Sequence, residues 1–154
     1  MGTNNLRFFM REELKQDVIT EIPGVKTFCD ENGQPMPMKV RSIGSDELLS
    51  LRDACKTRRM VKDAKGRPLL VNGQVQYSEE YDSSMVSDAL IAAALVFPDL
   101  HDKQLLEFYG EQEATKLVRK VFRRVEDYNY ISEKVSELSG LQAETQEIVD
   151  EIKN

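Results

Sequence analysis

The chain has 154 residues, 40% hydrophobic and 31% charged, enough to bury one real core and too apolar for a disordered polymer. A net charge of -6 disfavours nucleic acid as the main partner, because phosphate contacts need a basic surface. No run approaches the ~20 apolar residues of a membrane span, and the N-terminus lacks the apolar core of a signal peptide; the expected location is cytoplasmic, with Cys29 and Cys55 as reduced thiols.

Residues 4–19 carry Leu6, Phe9, Met10 and Leu14 at helical spacing, which predicts a short amphipathic helix in an N-terminal arm, residues 1–20. Residues 25–28 and 36–43 read as two strands joined through Asn32-Gly33, a strong hairpin signal. Met36, Met38 and Val40 would share one face of the second strand, and Lys39 and Arg41 the other. Ser45 is the expected N-cap of the next helix, with Leu48, Leu51 and Cys55 as its apolar stripe and Arg58-Arg59 as its end. Residues 60–77 change texture: Lys62, Lys65, Arg67, Pro68 and a second Asn-Gly, Asn72-Gly73, predict a small exposed hairpin in a mobile insertion.

From about Glu79 onward the pattern is helical. Between Met85 and Phe97 only Ser87 and Asp88 are polar, the mark of a helix at the centre of a bundle. It should stop before Pro98, whose ring drives the preceding residue out of helical geometry. Asp102 is placed to cap a short helix carrying Leu105, Leu106 and Tyr109, and Gly110 to end it in a left-handed conformation. Ala114, Leu117, Val118, Val121, Phe122 and Val125 predict an amphipathic helix, and Tyr128, Ile131, Val135 and Leu138 another that ends at Gly140. The tail, residues 141–154, has Leu141, Ile148, Val149 and Ile152 and predicts a last helix, docked or free. The fold class expected is α+β, predominantly helical: a small N-terminal antiparallel β-hairpin packed on a helical bundle, within a single domain over residues 21–140.

No catalytic set assembles from these residues. His101 is the single histidine and reads as a solvated residue at a helix entry. Cys29, Cys55 and His101 are too scattered for a metal site, there is no Gly-rich phosphate loop, and Asp99 and Asp102 suit turn and cap roles. The chain is therefore read as a non-enzyme with no cofactor and no metal. Two basic clusters remain, one from Arg52 to Arg67 and one at Arg119, Lys120, Arg123 and Arg124, while beyond Val125 the charge turns acidic. The clusters are solvated faces or a docking surface for an acidic protein segment. The polarity could drive head-to-tail self-association into a homo-oligomer. Phe8 and Phe9 in the arm and Leu141, Ile148 and Ile152 in the tail are the candidate partner contacts, since large apolar groups left in water mark interfaces.

The order of motifs then carries a resemblance. Phe28, the Asn32-Gly33 turn, the strand through Val40 to Ile43 and the helix with Leu51 to Cys55 come first. A Val96-Phe97-Pro98-Asp99-Leu100 turn, Phe108-Tyr109-Gly110 and the helices around Leu117 and Tyr128 to Leu138 follow. Over roughly residues 18–153 this resembles the XkdN-like tail assembly chaperones of tailed phages and phage-derived elements, with the Val-Phe-Pro-Asp-Leu turn and the Tyr-Gly as its most specific part. Two departures stand out: Arg124-Val-Glu-Asp-Tyr128 lacks the family's usual Pro-Gly, and residues 60–77 exceed its usual connection. The resemblance implies a chaperone that binds and solubilises the tape measure protein during tail morphogenesis. The tail tube protein is a further partner it allows, and the chaperone should be absent from the mature virion. The competing readings are a structural tail or baseplate adaptor and a nucleic-acid binder using the basic clusters.

Overall fold

A computed structural model describes residues 5–141. The arm forms two single 3-10 turns, Leu6–Phe9 and Glu12–Lys15, in place of the continuous helix expected over 4–19. Neither turn buries a residue, and a short helix without a packed face is marginal in water.

Strand β1 (Ile19–Ile22) pairs antiparallel with β2 (Met38–Arg41), Ile19 opposite Arg41 and Ile22 opposite Met38. The chain is α+β as expected, but β1 replaces residues 25–28 as the partner strand. The Asn32-Gly33 turn does form: the Asp30 N–H donates to the Gln34 carbonyl (2.8 Å), the Met36 N–H donates to the Phe28 carbonyl (2.8 Å), and Cys29 bridges Pro35. Pro35 and Pro37 have no N–H to extend that ladder, so the loop stays one bridge long and pairing resumes farther out. In β2, Met38 and Val40 point into the core, Lys39 is exposed and Arg41 half-buried, the alternation read from the sequence.

Helix α1 (Ser45–Ala54) is capped by Gly44 rather than Ser45 and ends before Arg58-Arg59. Those arginines lie instead on β3 (Lys56–Met60), every residue of which is exposed. Beyond it come β4 (Leu70–Val71) and β5 (Gln74–Val75), joined through Asn72 and Gly73, both at positive φ; β6 (Tyr77–Tyr81) returns along β3 with Met60 opposite Tyr77 and Lys56 opposite Tyr81. The region read as helical from Glu79 therefore starts four residues later, because pairing with β3 holds Glu79 and Glu80 extended.

Helix α2 (Ser83–Ala94) begins where the Asp82 carboxylate accepts the Ser84 and Met85 N–H groups. It packs against α4 (Ala114–Val121), α5 (Val125–Leu138) and α1, and is the central element its composition predicts. The apolar run does not stay helical to Phe97. The chain turns extended at Leu95 and forms β7 (Leu95–Phe97), which pairs with β2 and completes a sheet of order β1-β2-β7. Leaving the helix costs little here, since the freed backbone groups find partners in β2.

Asp102 accepts the Gln104 and Leu105 N–H groups at the start of α3 (Lys103–Tyr109), and Gly110 ends it at φ 70°. Phe122 and Arg123 break the chain between α4 and α5 even without a Pro-Gly, so these helices are separate. Leu117, Val118, Ile131, Val135 and Val40 are fully enclosed, and Phe122 meets Phe28 edge to face at 6.2 Å. Tyr128 ties three helices together: its hydroxyl donates to Asp88 (2.6 Å), while Arg119 Nε donates to the same carboxylate (2.8 Å) and lies over the ring. Tyr130 donates to the Pro23 carbonyl (2.6 Å), and Ser139 accepts the Ile43 N–H (2.9 Å), which anchors the end of α5 beside the start of α1.

Candidate protein-docking groove

The apolar surface that the fold leaves open lies where β2, β7 and α3 meet. Met36 and Pro37 run into β2, Phe97 and Pro98 leave β7, and Leu105 and Tyr109 close the groove from α3. Its volume is about 190 Å³ and its walls are almost wholly apolar. That is below the range of small-molecule sites and suits the insertion of one or two apolar side chains. The rim is exposed: Met36 is 40% and Phe97 50% accessible. Phe108 stacks edge-on to Tyr109 (5.0 Å) and borders a second apolar depression with Pro98 and Leu105. Methionine at such a rim can reshape to fit varied partners.

Local sequence explains the arrangement. Pro98 terminates β7 and turns the chain toward the Asp102 cap, and α3 then presents Leu105 and Tyr109 inward with Phe108 outward. Gly24 closes the back: a Cβ there would overlap the Met36 carbonyl, so only glycine lets the two backbones approach this closely.

Of the five residues predicted to touch a partner, the three that are described, Phe8, Phe9 and Leu141, do not line this groove. Phe8 (67% accessible) and Phe9 (80%) stand on the first 3-10 turn, away from the core cluster. Leu141 is half-buried against that cluster, its N–H donating to the Ser136 carbonyl (2.7 Å). Ile148 and Ile152, and the last helix expected over the tail, lie outside the described residues. The groove residues were hidden for plain reasons. Phe97 and Pro98 read as the end of a buried helix and Met36 as a core position of a strand. The one available signal was Phe108, an apolar residue in excess of the Leu105, Leu106 and Tyr109 stripe.

The charged features separate into two kinds. At the second basic cluster Arg119 pairs with Asp88, Lys120 with Glu111 (2.7 Å) and Arg124 with Glu126. The Lys120 ammonium holds the Glu111 carboxyl below its usual range, and the Asp88 carboxylate holds the Arg119 guanidinium above its own. At the first, Lys56 meets Asp53 and Glu79, and Arg59 meets Glu80, but among the described residues no carboxylate pairs with Arg58, Lys62, Lys65 or Arg67. His101 borders an open cleft of about 520 Å³ with Arg41, Asp99 and several alanines. Its ring is solvated and rests on Asp99 (3.3 Å), and Arg41 is engaged by Glu47 and Asp17. Burial pushes the Cys55 thiol up, away from reactivity. Among the described residues no group of His, Cys, Asp or Glu could hold a metal ion, and no helix is long and apolar enough to cross a membrane.

Comparison with known proteins follows the same outline. The family model described as Phage XkdN-like tail assembly chaperone protein matches residues 6–153. The phage-like element PBSX protein XkdN of Bacillus subtilis (strain 168) is 23% identical over 150 residues, covering 97% of this chain and 94% of that protein. The uncharacterized protein YqbN of the same organism is 24% identical over 150 residues, covering 97% and 93%. The crystal structure of YqbN superposes with a TM-score of 0.68 at 20% identity, covering 90% of this chain and 98% of that one, and shows the shared fold.

Proposed function

The chain belongs to the XkdN-like phage tail assembly chaperones, and from that premise we propose that it binds the tape measure protein and keeps its apolar helices soluble during tail assembly. The observation that carries this reading is the apolar groove between β2, β7 and α3, rimmed by exposed Met36 and Phe97, with exposed Phe108 on the adjoining depression. An amphipathic helix laid along it would anchor one or two side chains in the groove and cover the rim aromatics. The exposed arm residues Phe8 and Phe9 would extend the contact once the arm is covered. The reaction is reversible burial and needs no covalent step, cofactor or metal. In this reading the protein acts in the host cytoplasm and leaves before the virion matures; the tail tube protein would meet the complex at that stage.

Co-expression tests it. The tape measure protein should be soluble with the chaperone and aggregate without it, and purified mature particles should lack the chaperone. Equal solubility in both cases would overturn the reading. Retention in particles would point to a structural adaptor.

A further inference from the structure

Three surfaces outside the groove could carry a further role. The His101 cleft is open, and its charges are already engaged. The free edge of β7 is three residues long. The ribbon of residues 56–81 remains, and it combines features that the fold itself does not use.

The ribbon is exposed over most of its length, with Val61, Val75, Gln76 and Ser78 partly covered. Six cations stand there against three acids, a net charge of +3; the Asp63 carboxylate accepts the Lys65 and Arg67 N–H groups, but among the described residues the side chains of Arg58, Lys62, Lys65 and Arg67 form no ion pair. Beside them Met60, Leu69, Leu70, Val71 and Tyr77 are 36–59% accessible, apolar groups left in water among the positive charges. Cross-strand pairs such as Arg58 over the Tyr77 ring (4.0 Å) keep the ribbon in register. Its three-way tip is also built: the Val61 N–H donates to Gln76, and the Leu69 N–H donates to Val61.

The complement is in the same chain. Residues 142–154 hold Glu144, Glu147, Asp150 and Glu151 against Lys153, a net charge of -3. On a helix their spacing would set Ile148 and Ile152 on one side with Glu144, Glu147 and Glu151 along its flank. The two elements depart from opposite ends of α1. The Ser139–Ile43 hydrogen bond brings the end of α5 to the start of α1, and the ribbon leaves from its far end.

We propose that residues 142–154 of one copy dock on the 56–81 ribbon of a second, with Ile148 and Ile152 meeting the ribbon's exposed apolar residues and the carboxylates meeting Arg58, Lys62, Lys65 and Arg67. Such a contact is heterologous, so it repeats from copy to copy as an open row or a ring. It is independent of the groove and of any tape measure protein.

Light scattering on the purified full chain tests this. Self-association should rise with concentration and weaken about tenfold or more as salt goes from ~0.05 to ~0.5 M. Ending the chain after Leu141 should abolish it. The ribbon variant Lys62→Glu/Lys65→Glu/Arg67→Glu and the tail variant Glu144→Lys/Glu147→Lys/Glu151→Lys should each be monomeric and folded by circular dichroism, and an equimolar mixture of the two should form heterodimers. A wild-type chain that stays monomeric at every concentration, including one whose tail lies on its own ribbon, would overturn the proposal. So would association that survives loss of the tail, or a mixture that fails to pair.

Discussion

Phe108, on the apolar depression beside the groove, offers the cleanest perturbation of this surface, because it is 80% accessible and its one described ring contact is with Tyr109. A phenylalanine presents on the order of 200 Å², so about 160 Å² of Phe108 is available for a partner to cover. At ~25 cal/mol per Å² that is about 4 kcal/mol as an upper bound. Incomplete coverage and the ordering of both partners offset roughly half of it, leaving about 2 kcal/mol, or ~30-fold in Kd. Phe108→Ser should therefore weaken the binding of an apolar tape measure helix about 30-fold, read by anisotropy titration of the labelled peptide. The same variant should unfold within about 1–2 °C of wild type, because little that is buried on folding is removed. A Kd within about threefold of wild type, with the fold intact, would refute a docking surface that extends from the groove over Phe108.

Other substitutions test the scaffold. Leu117→Ala empties a fully enclosed position and should cost about 2–5 kcal/mol in a urea titration; a smaller loss would mean that α4 does not pack as described. Gly24→Ala would drive a methyl into the Met36 carbonyl, so the loop behind the groove must shift, with both stability and peptide binding reduced; a neutral result would contradict the close approach. Tyr128→Phe removes the hydroxyl shared by Asp88 and Ser87 and should cost about 1–2 kcal/mol. Burial, then the bond to Asp88, holds the Tyr128 phenol above its ordinary value. Its contribution is thus whole below pH ~10 and fades as pH rises through the raised value, because the folded state keeps the proton longer. Wild type should lose more stability than Tyr128→Phe on going from pH ~9 to ~11, and parallel losses would place the phenol in water.

What could be read in the sequence was whatever local chemistry decides. Asp102 and Gly110 bound α3 as expected because a carboxylate cap and a left-handed glycine act within one turn of the chain. The stripe of Leu117, Val118 and Val121 marked α4 because its period has no other use. The errors arose where partners distant in sequence decide. Residues 79–81 look helical in isolation, yet β3 holds them extended. Leu95 to Phe97 continue an apolar helix until β2 offers them a ladder. Prolines 35 and 37 move the strand pair outward to β1. The groove was illegible for the same reason, since it exists only where β2, β7 and α3 converge, and none of the three is apolar enough to announce it alone.

The placement of α2 gives the two surfaces a mechanical relation. Asp82 joins the ribbon to the first turn of α2, and β7 follows its last residue. Twelve residues of helix put the ribbon base and the groove strand about 18 Å apart at opposite ends of one rigid, buried rod. A copy seated on the ribbon therefore leaves the groove open, and a helix in the groove leaves the ribbon open. Packing of α2 against α4 and α5 and the Asp88–Tyr128–Arg119 cluster hold that spacing. In a row of copies each groove would then recur at a constant interval. Such an array suits a partner that is one long helical chain better than it suits many short ones, since each copy bound brings the next groove to the same chain at high effective concentration.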